Sequence, residues 1–201
     1  MARIGIIFHS MYGSTYDLAQ KIADGIGEAG GTAELRRVPR LMSDEQLEAA
    51  GALQAQQSMA SITEATVDEL PEFDGIIFGS PTRFGNRTSQ LSSFLDQTGS
   101  LWAEGKLVGK PAGFFTGAST IHGGFESTIM TMSTYAFHQG MVIVPMGYSD
   151  PATQVTRTGG GPYGPSHWSP QEGKDGLDEH EITIATVYGS RFAEIAAKLA
   201  A

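Results

Sequence analysis

Short apolar runs alternate with stretches of helical period along most of the chain. Ile4 to Phe8 is the first run, and behind it Leu18, Ile22 and Ile26 recur every four residues with Ala19 and Ala23 alongside, which predicts a strand feeding a helix. Gly30-Gly31 stops that helix, and residues 33–38 read as a second strand closed by Pro39. Gly75-Ile76-Ile77-Phe78-Gly79 is a third strand, apolar enough to be buried on both faces. A helix with Leu91, Phe94 and Leu95 on one side leads to a fourth strand over 110–116. A helix over 126–138 leads to a fifth strand, Met141-Val142-Ile143-Val144. The last helix spans 178–199, with Ile184, Tyr188, Phe192, Ile195 and Leu199 as its apolar face.

Two stretches break the alternation. Residues 41–69 are rich in Ala, Gln and Glu; helix is expected near 44–50 and 67–70, with an irregular link between. Residues 147–177 are dense in Gly and Pro and show no period. A structureless tract of that length is uncommon in a compact domain. Its exposed aromatics, Tyr148, Tyr163 and Trp168, lead us to expect that it packs against a neighbouring subunit.

Five strands alternating with helices predict a single α/β domain over 1–201, a doubly wound five-stranded parallel sheet in the order 2-1-3-4-5 with helices on both faces. Such sheets bind ligands outside the carboxyl ends of their strands, where the order reverses. Three loops leave the sheet at that edge, and all are rich in Gly, Ser and Thr: residues 10–15, 80–87 and 116–124. The first, Ser10-Met11-Tyr12-Gly13-Ser14-Thr15, opens a helix. It offers hydroxyls, a glycine and unpaired amides but no Lys or Arg, so an anion there is met by neutral donors and the helix dipole. A phosphate monoester suits that set. The blander reading, that Ser14 or Thr15 merely caps the helix, competes with it until the three loops are taken together.

Composition narrows the field. The chain has 201 residues, a net charge of -9 and no cysteine. The acidic balance argues against nucleic-acid or anionic-membrane partners, and the missing cysteine excludes disulfides and thiolate chemistry. No run approaches a membrane span and no signal-like segment precedes the first strand, so a cytoplasmic protein is expected. His9, His122, His167 and His180 lack ligand spacing, and no metal is assigned.

Several stretches together resemble the WrbA-type NAD(P)H:quinone oxidoreductases, relatives of flavodoxin: Ser10-Met11-Tyr12-Gly13, residues 79–86, Phe94-Leu95-Asp96-Gln97-Thr98-Gly99 with Leu101-Trp102, His122-Gly123-Gly124, and Gly140-Met141-Val142-Ile143-Val144-Pro145. The resemblance implies a flavodoxin-like fold, FMN, a homotetramer, and two-electron reduction of quinones by NADH or NADPH. It assigns Ser10, Met11, Tyr12, Gly13, Ser14 and Thr15 to the phosphate. Pro81, Thr82, Arg83, Phe84 and Gly85, with Thr116, Gly117, Ala118, Ser119, His122, Gly123 and Gly124, fall beside the flavin ring. His138 and Trp102 match positions that approach the flavin site, Trp102 as an aromatic wall for a planar substrate, with subunit packing completing the pocket. Tyr12 matches a position implicated in nicotinamide binding. Phe125 departs from the pattern, standing where a Gln is commoner.

With a flavin carrying the redox chemistry, no acid-base triad is expected. If both substrates use one open face of the ring, they must take turns, which predicts ping-pong kinetics. A flavodoxin-type single-electron carrier and a non-catalytic regulatory binding protein are the rival readings. Gly159, Gly161 and Gly164 fit a dinucleotide-binding spacing, but no strand precedes them and Pro162 interrupts it, so no Rossmann role is assigned.

Overall fold

The computed structural model describes residues 1–170 and 176–200. In chain order its elements are β1 (Arg3–Phe8), α1 (Ser14–Glu28), β2 (Thr32–Arg37), α2 (Asp44–Ala49), α3 (Leu53–Ser58), β3 (Gly75–Pro81), α4 (Ser89–Asp96), α5 (Gly99–Ala103), β4 (Pro111–Ala118), α6 (Phe125–His138), β5 (Val142–Ile143), α7 (Ala152–Val155), β6 (Ser166–Trp168) and α8 (Glu179–Leu199). The strands build one parallel sheet in the expected order β2-β1-β3-β4-β5, and β6 also pairs with β4.

Strand alternation sorts the apolar residues into two cores. Ile4, Ile6 and Phe8 of β1 face α1 and α8, packing with Leu18, Ile22, Ile184, Tyr188 and Phe192. Ile7, Ile76, Phe78 and Phe114 face the other way, against Leu91 and Phe94 of α4 and Ile129 and Met132 of α6. The faces of α1, α4 and α8 were legible from period alone, except that Leu199 at the end of α8 is exposed. α1 and α8 cross at backbone distance because Gly25 and Gly189 stand at the contact: a Cβ there would lie 1.9 Å from the Thr186 carbonyl oxygen and 2.1 Å from that of Ile22.

The edge beyond β4 differs from expectation. The fifth strand is only Val142–Ile143, and the tract after it is not structureless: it contains α7 and β6, and residues 171–175 lie outside the described part. β5 pairs with the first residues of β4, Pro111 and Ala112, while β6 pairs with the last, Thr116 to Ala118. One edge is thus covered by two short strands in succession. The ladder would fail between them at Phe114. Its N–H instead donates to the Tyr188 hydroxyl (3.1 Å), which donates in turn to the Val144 carbonyl (2.9 Å). Thr116 N–H then resumes the ladder at the Pro165 carbonyl. One glycine of the discarded dinucleotide spacing serves this junction, since a Cβ on Gly164 would lie 2.2 Å from the Phe114 carbonyl oxygen.

β6 is tied to α8 by a buried carboxylate. Glu181, wholly buried, accepts from the N–H groups of Gly159 (2.8 Å), Trp168 (2.9 Å) and Asp178 (3.0 Å) and meets His167 Nδ1 at 2.8 Å. Residues 41–69 also need correction. The helix at 44–50 is present as α2, but 67–70 yields only a single 3-10 turn at Leu70–Glu72, and α3 was not foreseen. Pro71 and the run of Gln in α3 carry no apolar period; long-range contacts decide both.

β1 ends at His9, whose N–H donates to the Gly79 carbonyl at 3.0 Å. The imidazole is buried, and among the described residues its Nε2 has no hydrogen-bond partner. Burial first, and the Arg83 charge second, lower its pKa from 6.5 to about 4. The ring is therefore neutral in the folded protein at pH 7.

Two outcomes follow from this packing. Tyr188→Phe strands a buried donor and a buried acceptor at the split edge, so urea unfolding should show a loss of roughly 2–4 kcal/mol; a change below about 0.5 kcal/mol would contradict the bridging role. For His9 the unfolded chain binds the proton first, so its contribution is complete above pH 6.5 and is lost as pH falls toward about 4. Between those limits wild type should lose roughly 3 kcal/mol more than His9→Phe, and parallel pH profiles for the two proteins would refute this.

Candidate functional site

The carboxyl ends of β1, β3 and β4 lie side by side, because Phe8 pairs with Gly79 and Pro81 with Gly117. The three loops that leave them converge on a cleft of about 400 Å³, within the usual range for small-molecule sites. It is lined by Tyr12 and Ser14 of the first loop, Pro81, Thr82 and Arg83 of the second, and Gly117, Ala118 and Ser119 of the third. Ser169 and Pro170, from the segment after β6, complete the wall. Arg83 is the only charged residue among those described in the lining.

The first loop presents unpaired donors at the mouth of α1. Gly13 sits at the N-cap of α1 with φ 101°, a conformation that side chains rarely adopt, and makes no side-chain cap. From Met11 to Thr15, five consecutive N–H groups donate to no acceptor among the described residues. Neither Ser14 nor Thr15 caps the helix. Of the loop's hydroxyls, Ser14 faces the cleft, Thr15 is buried beneath Gly117, and Ser10 Oγ accepts from Tyr16 N–H at 3.3 Å. An unpaired row of amides at a helix N-terminus, with a hydroxyl among them and no Lys or Arg within residues 10–15, fits a phosphate monoester.

The second and third loops are locked together. Thr82 N–H donates to the Gly117 carbonyl (2.8 Å), and Thr82 Oγ1 accepts from Gly85 N–H (3.1 Å) and from the Thr128 hydroxyl (2.9 Å). Thr116 lies wholly buried and donates from Oγ1 to the Ser80 carbonyl at 2.7 Å. Arg83 and Asn86 exchange both backbone hydrogen bonds (2.7 and 3.0 Å) around Phe84 and Gly85, whose φ angles are 54° and 77°. This is the geometry of a type I′ turn. Among the described residues Phe84 is the sole non-glycine with positive φ, and its side chain is fully exposed. Gly124 lets the third loop approach the second, since a Cβ there would sit 3.0 Å from Gly85 Cα.

Other sequence-predicted residues stand apart from the cleft. His122 is exposed on the third loop, and Gly123 and Gly124 form the entry to α6. Met11 is buried behind the first loop. His138 ends α6, 14 residues from the entry and so roughly 20 Å away. Trp102, on α5, is exposed near that far end: Thr98, just before α5, accepts from Gln139 Nε2 at 3.1 Å. Sequence reasoning missed Ser169 and Pro170 because it missed β6. The available signal was Asp178-x-x-Glu181, a capping box that sets a carboxylate on an otherwise buried helix face.

Residues 2–152 match the family described as NADPH-dependent FMN reductase. The chain is 48% identical over 197 residues to a protein of Geobacter sulfurreducens named NAD(P)H dehydrogenase (quinone), covering 96% of this chain and 97% of that one. A protein of the same name from Geobacter metallireducens is 46% identical, with 98% of each chain covered. Among solved structures, a WrbA-like flavodoxin from Agrobacterium tumefaciens superposes with a TM-score of 0.67 at 22% identity, covering 98% of this chain and 99% of the other. Flavodoxin 2 from Bacillus cereus gives a TM-score of 0.63 at 18% identity, covering 96% and 99%. The fold is flavodoxin-like, and the chain belongs to the NADPH-dependent FMN reductase family.

Proposed function

We propose that this protein is an FMN-dependent NAD(P)H:quinone oxidoreductase, in which NAD(P)H, a proton and a quinone become NAD(P)⁺ and the hydroquinone. The observation that carries the reading is the row of five undonated N–H groups from Met11 to Thr15, opening on a cleft walled by two rigid loops. Full-length relatives that bear the name NAD(P)H dehydrogenase (quinone) support it. FMN, when bound, supplies two-electron exchange between nicotinamide and quinone.

The chain's own residues bind and orient. The amides of the first loop and the Ser14 hydroxyl hold the phosphate, and the segments at 81–83 and 117–119 flank the ring. Arg83 contributes positive charge to the cleft; among the described residues its Nη1 donates to the Thr82 carbonyl at 2.9 Å. Tyr12, more than half exposed, takes the nicotinamide side. With one cleft for both, nicotinamide and quinone alternate.

Trp102 and His138 enter this scheme through a neighbouring copy. The end of the molecule that carries them exposes Val108 and Phe137 as well as Trp102, each roughly 60% accessible, which is the composition of a subunit contact. A homotetramer in which this end abuts a neighbour's cleft, with Tyr148 and Tyr163 of the tract after β5 also exposed to contact, brings both residues to a flavin. Its place of action is the cytoplasm, where reduced nicotinamide is available. Among the described residues no helix is long and apolar enough to cross a membrane.

Initial rates with NADH or NADPH and benzoquinone should give parallel double-reciprocal lines, and intersecting lines would contradict the shared cleft. Sedimentation equilibrium at micromolar concentration should give four times the 21.3 kDa chain mass. Trp102→Ala should then raise the quinone KM about tenfold while bound FMN stays stoichiometric. A monomer, or an unchanged KM, would contradict the assembly.

A further inference from the structure

The excursion between β2 and β3 reaches the back of the phosphate loop. Gln56 of α3 is buried, and its side-chain Nε2 donates to the Ser10 carbonyl (2.6 Å) and to the Met11 carbonyl (2.9 Å). It does not line the cleft; it lies behind the loop, with His9 and Met11, on a separate small cavity. The Met11 side chain is buried there against Leu47 and Ala52, and the Tyr12 hydroxyl donates to the Ala50 carbonyl at 3.2 Å. Two short helices therefore grip three successive residues of the loop.

We propose that Gln56 is the positioning residue of the anion site: by holding the carbonyls of Ser10 and Met11 on the α3 side, it turns the N–H groups of Met11 and Tyr12 toward a phosphate. A trans peptide points its C=O and N–H in opposite directions. With two consecutive carbonyls drawn to one amide behind the loop, the following two N–H groups face away from α3. Both are among those that donate to no acceptor within the described residues. The preference is built in before any ligand arrives, which is what makes neutral donors effective toward an anion. Without the two donors of Gln56, either peptide plane can rotate and remove its N–H from the site. The donors must come from a buried side chain of this reach; an ionised carboxylate there would face the same two carbonyls with acceptors only.

This inference rests on the FMN reading, and the test separates the two. Apoprotein is titrated with FMN and, in parallel, with riboflavin, which has the ring but no phosphate. For Gln56→Met, which keeps length and apolarity but has no donors, FMN affinity should fall at least tenfold while riboflavin affinity stays within twofold of wild type. Gln56→Glu should behave like Gln56→Met or worse at pH 7. Equal losses for the two ligands, or no loss for FMN, would overturn the positioning role. Failure of wild type to take up FMN would overturn the cofactor reading and this inference with it. A measurement on wild type stands independently of how well either variant folds: the Gln56 side-chain NH₂ resonances should be protected from exchange in the apoprotein. The Met11 and Tyr12 amide protons should shift with FMN but not with riboflavin. Rapid exchange at Gln56, or equal shifts with both ligands, would overturn it.

Discussion

The site depends on a mismatch that the fold creates and does not relieve. Five peptide N–H groups at the junction of β1 and α1 find no acceptor in the described protein, although unpaired backbone donors are rare where water is restricted. The adjoining elements leave them so. β1 has already given its ladder bonds to β2 and β3, α1 cannot satisfy its own first turn, and Ser10 spends its hydroxyl on Tyr16 rather than on the loop. An anion with several oxygens is the natural complement, and no lysine or arginine is required to hold it.

The remaining architecture keeps that junction rigid and walled. Thr82 and Thr116 tie β3 and β4 together at their carboxyl ends, and the split edge beyond β4 brings Ser169 and Pro170 round as the far wall. A three-residue strand such as β6 has little pairing of its own, so its position is set from α8. Glu181 binds three backbone N–H groups and His167, and Tyr188 fills the rung at which neither β5 nor β6 reaches β4. Both side chains are wholly buried, and the C-terminal helix thereby organises a wall of the cleft that it does not line.

What could be read from the sequence follows from where each feature's free energy lies. The four longer strands and α1, α4, α6 and α8 announce themselves because burial imposes a period that local composition must satisfy. The three loops were legible because Gly, Ser and Thr at strand ends serve one kind of chemistry. β6 was not, since Ser166-His167-Trp168 has no strand pattern and is a strand only through its partners on β4 and α8. The same holds for α3: Leu53-Gln54-Ala55-Gln56-Gln57-Ser58 looks like a solvated link until Gln56 is seen buried against the carbonyls of Ser10 and Met11. Trp102 and His138 were singled out by resemblance alone, and within one chain they lie far from the cleft.

The most direct measurement of the central claim is a calorimetric titration of the purified apoprotein with FMN at neutral pH, repeated in excess inorganic phosphate. Saturable uptake of one FMN per chain is expected, with affinity that falls as phosphate competes for the first-loop amides. No saturable uptake, or binding indifferent to phosphate, would contradict it.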